Sequence, residues 1–344
     1  MAVYTTINDP GSYFNTKLYT GTGASNAQTG VGFQPDFTWI KNRDATDAHI
    51  LTDAVRGVTN YIVSDSTAAE VTNAESLKSF DSDGFTVGTM VNVNTNTEAF
   101  VAWNWKANGA GSSNTDGSIT STVSADTTAG FSIVSYTGTG IAATVGHGLG
   151  VAPNFIITKS LVATQEWGVY HSALGATKYL FLDEDSAAGT NSAYWNDVEP
   201  DSSVFTIGTS GPTNSSSAMI AYCFAEKQGY SKFGSYTGNG QTGIDGAFVY
   251  TEFRPAWIMV KRTNSAAGWC IFDSKREGYN GDNEYLRAET TAAGGVGTYF
   301  DILSNGFKPL TNDGEWNGGG DTYIYMAFAE QPLVNSNGVP TNAR

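Results

Sequence analysis

Three histidines are the first place to look for chemistry in this chain of 344 residues, and their settings give them little to work with. His49 sits in Asp47-Ala-His-Ile50, His147 in a glycine-rich turn and His171 in Val169-Tyr-His-Ser172. None has the paired-histidine spacing of a zinc protease, and the chain has no G-x-S-x-G nucleophile elbow. The glycine clusters, densest from Gly138 to Gly150, lack the P-loop lysine and the dinucleotide-fold spacing, so they read as turn residues. Asp81-Ser-Asp-Gly84 and Asp183-Glu-Asp185 offer the oxygen ligands that calcium prefers, but neither builds an EF-hand loop, and surface-turn chemistry is the preferred reading. Trp195 and Trp316 are flanked by polar turn residues and could present flat faces to a sugar, although packing under a loop is the simpler reading. Cys223 and Cys270 stand at unrelated positions and read as buried thiols. No catalytic, cofactor or metal-binding residue is assigned on this basis, no binding residue can be named, and enzymatic activity is not expected.

The elements that hold these residues are repeated. Tyr136-Thr-Gly-Thr-Gly140 leads through Gly146-His-Gly-Leu-Gly150 to Pro153-Asn-Phe-Ile-Ile-Thr-Lys159. Upstream, Tyr19-Thr-Gly-Thr-Gly23 leads to Pro35-Asp-Phe-Thr-Trp-Ile-Lys41, and downstream Tyr236-Thr-Gly-Asn-Gly240 leads to Pro255-Ala-Trp-Ile-Met-Val-Lys261. A middle marker, Asp83-Gly-Phe-Thr-Val-Gly88, is answered by Ser203-Val-Phe-Thr-Ile-Gly208 and more loosely by Asn305-Gly-Phe-Lys-Pro-Leu310. Each copy closes on an apolar run: Phe100 to Trp105, Met219 to Phe224 and Tyr323 to Phe328. The prolines at 35, 153 and 255 are 118 and 102 residues apart, a period that suits whole domains rather than solenoid turns. Lys41, Lys159 and Lys261 recur with the cassette, but no acid, base or nucleophile recurs beside them. They read as strand-end lysines whose stems snorkel outward.

Forty glycines, frequent Thr, Ser and Asn, and 12% aromatic residues describe short strands joined by tight turns. The fold class is therefore all-β, as three tandem antiparallel β-sandwich-like domains. The divisions are an arm over 1–13, β-domains over 14–106, 131–226 and 230–330, a Gly/Ser/Thr-rich linker over 107–130 and an extended tail over 331–344. The long linker predicts a loose first joint, and the short Glu226 to Tyr230 connection predicts a tight second one. A turn or two of helix is the most that Ala68 to Phe80 could form. The 18 basic residues against 33 acidic ones give a formal charge of -15, which opposes a phosphate backbone, so nucleic acid is not an expected partner. The chain has no apolar run long enough to span a membrane and no signal-peptide layout at its start, so membrane insertion is not expected.

The segments Thr5-Thr-Ile-Asn-Asp-Pro10, Val31-Gly-Phe-Gln-Pro-Asp36, Gly146-His-Gly-Leu-Gly-Val-Ala-Pro153, Gly229-Tyr-Ser-Lys-Phe-Gly-Ser-Tyr236 and Phe253-Arg-Pro-Ala-Trp-Ile-Met-Val-Lys261 carry a family likeness. Over nearly the whole chain the sequence resembles repeat-built structural and tail-fibre-like virion proteins from tailed phages of marine and freshwater bacteria. The resemblance implies a virion protein assembled in the bacterial host cytoplasm, with other virion proteins as partners. Expected on that footing are a tail or tail-fibre-like appendage that binds a host-surface glycan, and a homo-oligomer, hypothetically a trimer. A capsid decoration or head-fibre protein is the alternative, and a glycan-degrading tailspike the third reading. The family brings no cofactor and no catalytic residues.

Overall fold

The computed structural model describes residues 4–276 and 280–341. Its first unit contains β1 (Phe14–Thr20), β2 (Asn26–Thr29), β3 (Phe37–Asn42), β4 (Ile50–Asp53), β5 (Asn60–Tyr61), β6 (Val71–Thr72), β7 (Leu77–Asp81), β8 (Gly84–Val87), the single-turn helix α1 (Val91–Asn94) and β9 (Ala99–Trp105). A hairpin of β10 (Ser112–Asn114) and β11 (Ser121–Asp126) follows. The second unit contains β12 (Phe131–Thr137), β13 (Ala143–Gly146), β14 (Phe155–Ser160), β15 (Gly168–His171), β16 (Lys178–Phe181), β17 (Gly189–Thr190), α2 (Ser192–Trp195), β18 (Val204–Ile207), α3 (Gly211–Asn214) and β19 (Ala218–Phe224). The third contains β20 (Ser231–Thr237), β21 (Val249–Tyr250), β22 (Phe253–Arg262), β23 (Trp269–Asp273), β24 (Asn283–Arg287), β25 (Gly295–Gly297), β26 (Phe300–Leu303), β27 (Gly306–Pro309) and β28 (Thr322–Pro332).

The same antiparallel sheet recurs in each unit, in the orders β1-β9-β3-β4, β12-β19-β14-β15 and β20-β28-β22-β23, with further strands added in the second and third. A smaller sheet faces it, pairing β2 with β8, β13 with β18 and β21 with β27. The register matches too: Lys41 lies opposite Val101, Lys159 opposite Ile220 and Lys261 opposite Ile324.

Local chemistry accounts for the recurrent cassette. The cassette tyrosine donates its hydroxyl to a backbone carbonyl in each unit: Tyr19 to Val93 at 2.6 Å, Tyr136 to Thr213 at 2.6 Å and Tyr236 to Trp316 at 2.7 Å. The next residue in each case is a fully buried asparagine, Asn94, Asn214 or Asn317. The Asn214 amide accepts from Thr139 and Gly140 N–H and donates to the Ile141 and Gly208 carbonyls, pinning the Thr-Gly turn. The turn passes so close to the closing strand that a Cβ on Gly138 would sit 1.9 Å from the Ser215 carbonyl oxygen, and one on Gly21 1.9 Å from that of Thr95. Only glycine fits there.

Each large sheet is buried on both faces. One face packs on its own small sheet, with private cores around Phe85, Phe205 and Phe307. The other faces a core shared by all three units, to which Phe14, Phe37 and Trp105 contribute from the first, Phe131, Phe155 and Phe224 from the second, and Trp257, Met326 and Phe328 from the third. Equivalent positions of the three closing strands meet there as an aromatic triangle: Trp105 to Phe224 at 6.4 Å, Trp105 to Phe328 at 5.7 Å and Phe224 to Phe328 at 6.0 Å.

Several expectations change. The 107–130 stretch is not a bare linker: β11 pairs along β12 over six residues, and Ser124 Oγ accepts the Asn108 N–H at 2.8 Å, so the first joint is tied down. The 68–80 stretch carries β6 and β7 rather than helix, in keeping with its β-branched Val71 and Thr72. In the arm, Thr5 and Ile7 are buried, and Asn8 exchanges hydrogen bonds with Ser336 of the tail. The fold is all-β, each unit packs its large antiparallel sheet on a small one as a sandwich, and the three units also share one hydrophobic interior.

Candidate functional site: the seams between units

The units meet at three seams that repeat one plan. Loop 63–70 of the first reaches 160–167 of the second, with Glu70 N donating to Leu161 O and Gln165 N to Thr67 O. Loop 182–188 of the second reaches 261–267 of the third, where Ala188 N donates to Thr263 O and Ala267 N to Asp185 O. The third closes on the first through Gly294 N to Arg43 O and Ser64 Oγ to Ala288 O. The ring is complete.

Two of the recurrent lysines, Lys159 and Lys261, bond across these seams. Lys159 donates to the carbonyls of Thr67 and Ser160, and Lys261 to those of Asp185, Ser186 and Arg262. Lys41 donates to those of Asn42 and Ala45. All three are fully buried, which corrects the outward-snorkelling expectation. Burial pulls each ammonium down to about 8, against nearby carboxylates that raise it. Trp269 lies opposite Lys261 in the ladder, and Trp167 directly precedes Gly168, which lies opposite Thr158. The Trp167 and Trp269 indoles donate across the seams to Val63 O at 3.0 Å and Phe181 O at 2.7 Å respectively. Beside them, Asp183 accepts Trp167 N at 2.8 Å and Glu289 accepts Trp269 N at 2.9 Å. Burial raises the carboxyl of Asp183 to about 6 and that of Asp65 in the first unit likewise, and it raises Glu289.

A turn that sequence reading passed over completes two seams. Asp53 Oδ2 binds Arg56 Nε at 2.5 Å and accepts the Tyr222 hydroxyl of the second unit at 2.8 Å. Asp273 Oδ2 binds Arg276 Nε at 2.6 Å and accepts the Trp103 indole of the first unit at 2.9 Å. Arg276 continues to Glu284, which also holds Arg43. At the remaining seam the pair is replaced by His171 and Leu174, with His171 Nε2 donating to Tyr325 O at 3.3 Å while Nδ1 accepts Ala173 N at 3.0 Å. The signal was available: aspartate, aspartate and histidine stand at 53, 273 and 171, each twelve residues beyond a recurrent lysine.

The other candidates are structural. Burial holds His171 at about 4, and pushes His49 and His147 below the ordinary histidine value. His49 Nδ1 accepts the Trp39 indole at 2.7 Å, and His147 Nδ1 accepts Leu149 N at 3.2 Å. Trp195 and Trp316 are both buried, so neither is a sugar platform. Asp83 is committed to Gly30 and Gly32 N–H, and Asp81 accepts the Thr86 hydroxyl. Cys223 and Cys270 are buried free thiols. Among the described residues no group of three or more His, Cys, Asp or Glu is placed to hold a metal ion, and no helix is long and apolar enough to cross a membrane.

The second seam also carries an acidic cleft of about 430 Å³, lined by Asp183, Glu184, Asp185, Glu289, Glu315 and Arg287 among others. Its two perturbed carboxylates hold equivalent backbone N–H groups in successive units, which accounts for their burial without a reaction.

With this geometry in view, the model of one family, described as a domain of unknown function (DUF7483), matches residues 9–332. The chain belongs to that family. The match takes in all three units and every seam, so the family is defined by the whole ring rather than by one repeat. No curated protein matches the chain.

Proposed function

We propose that this member of the family is a structural protein of a tailed-phage particle, placed as a tail or tail-fibre-like appendage that engages the host surface. The observation that carries the non-enzymatic part is the use of the titratable groups: the buried lysines, the acid partners at 183 and 289, His147 and His171 hold backbone groups within and between units, and His49 holds the Trp39 indole. The placement in a virion rests on the sequence resemblance. A rigid three-unit ring with an acidic exterior suits a body that presents loops and withstands exposure outside a nucleic-acid-filled shell. Capsid decoration is the alternative placement. A glycan-degrading tailspike is disfavoured because the acidic cleft's perturbed carboxylates are those that recur at the seams.

Locating the chain on intact particles by cryo-electron microscopy or immunogold labelling tests the reading. Density at the tail or its fibres is the expected result, density over the head lattice moves it to decoration, and absence from purified particles overturns it. Incubation with host-surface polysaccharide is expected to leave chain length unchanged. Oligosaccharide release that disappears in Glu289→Gln would overturn the non-enzymatic part. We further propose that copies act together as a homo-oligomer, hypothetically a trimer, because several weak surface contacts then become intramolecular. Mass photometry of the purified chain reads this directly, and a single species near 36.4 kDa would rule out self-assembly.

A further inference from the structure

The first strand of each large sheet has one side free of its own unit, and the three units treat that side differently. On β12 it is filled: β11 runs antiparallel along it, placing Thr122 opposite Ser135 and Ser124 opposite Ile133. The matching positions on β20 are Ser235 and Phe233, from the common register of β12 on β19 and β20 on β28. The Phe233 N–H is taken by Glu226 and the Ser231 N–H by the Lys227 carbonyl, but Ser235 and Thr237 are exposed, and among the described residues no strand pairs with that edge. On β1 the comparable edge carries Lys17 in mid-strand and buries Thr16, the usual protection against strand addition. The 235–237 edge has no charged residue.

A cleft of about 340 Å³ opens beside this edge, lined among others by Leu174, Ser235, Tyr236, Thr237, Tyr323 and Ile324. It lies at the seam where the Asp-Arg turn gives way to His171 and Leu174. At the other two seams the arginine at this turn position, Arg56 or Arg276, is buried in ion pairs. Ser235 lies opposite Ile324 in the ladder, so both side chains point to the face on which Leu174 packs. A residue added opposite Ser235 would project to that same face.

We propose that the Ser235–Thr237 edge of β20 takes an added antiparallel strand from a partner protein, with an aliphatic side chain opposite Ser235 seated against Leu174 and Ile324. Main-chain hydrogen bonds would give the affinity and the cleft the specificity. The chain's own β11 on the equivalent edge shows the backbone geometry, and its sequence, Ser121-Thr-Val-Ser-Ala-Asp126, shows the small and uncharged character such a strand has at its centre. The formal charge of -15 favours a partner strand from a protein of opposite net charge at this edge.

The probes are two fluorescein-labelled synthetic peptides covering 119–128, one of native sequence and one with valine in place of Thr122, titrated into the full chain by anisotropy. The valine peptide is expected to saturate and to bind more tightly than the native one. Hydrogen exchange should slow at Ser235 and Thr237 when it is bound. Ser235→Pro removes the outward amide while leaving the β28 ladder, and should weaken binding about tenfold. Leu174→Arg fills the cleft from the other side and should abolish the preference for valine, which keeps the test open if the proline variant folds poorly. Failure of both peptides to saturate overturns the proposal, as does unchanged affinity in both variants. Protection at β12 through displacement of β11 overturns it too. Slow exchange at Ser235 and Thr237 in the chain alone, with a dimer in solution, would assign the edge to a second copy instead.

Discussion

His171 is buried at the second seam with both ring nitrogens engaged, and burial holds its proton affinity down to about 4. An unfolded histidine takes up a proton near 6.5, so between those values the unfolded chain binds more protons than the folded one. Stability contributed by the neutral ring is present above 6.5 and is lost as the pH falls towards 4. Asparagine at 171 could still accept the Ala173 N–H, as Asp53 and Asp273 accept theirs, but it cannot titrate. Urea unfolding at pH 7.5 and pH 4 should therefore show wild type losing about 3 kcal/mol more than His171→Asn over that range. Equal losses would mean that the ring is not held neutral. Asn214 makes a second residue-scale case, because its buried amide serves two donors and two acceptors of the cassette turn. Asn214→Ala leaves those backbone groups unpaired and should cost about 2 to 4 kcal/mol by the same measurement, well beyond an exposed asparagine such as Asn196.

At the scale of elements, two of the three seams depend on buried ion pairs that work only as complete sets. Arg276→Met leaves Asp273 buried with its charge uncompensated and breaks the link through Glu284 to Arg43, so a loss of about 3 to 5 kcal/mol is expected in urea unfolding. A loss below about 1 kcal/mol would mean that water reaches the pair. The strands that pair with those carrying Asp53 and Asp273 were readable because their cassettes repeat: Pro35, Pro153 and Pro255 mark one strand in all three units, and the alternation of Phe37, Trp39 and Lys41 gives its faces. Other parts were not readable for definite reasons. The residues that the 107–130 stretch buries, Ala107, Ser121, Val123, Ser124 and Ala129, are all small, and part of it becomes strand because the edge of β12 is there to receive it. The Lys159 and Lys261 ammonium groups looked destined for solvent because the carbonyls that hold them come partly from another unit, some 75 to 92 residues away. The aspartate-arginine turn was present in the sequence, but its third copy is His171 to Leu174, which hides the repeat.

For the whole molecule, the decisive feature is that the inner faces of all three large sheets meet in one interior. Trp105, Phe224 and Phe328 come from different units yet lie within 6.4 Å of one another, ring to ring. A unit removed from the ring would expose its inner face: for the second, Phe131, Phe155, Phe224 and Trp167 together. Apolar area on that scale is not tolerated on an isolated soluble domain, and seams of paired hydrogen bonds would be left open as well. Unfolding should therefore be a single cooperative event despite the threefold repetition. Circular dichroism, tryptophan fluorescence and hydrogen exchange in each unit should give one urea midpoint. Trp105→Ala should lower that midpoint for all three units together by about 3 to 5 kcal/mol of stability, although the residue belongs to the first alone. Separate midpoints, with exchange in 131–226 unaffected by the substitution, would mean that the units stand independently and that the shared aromatic interior contributes little to holding the ring closed.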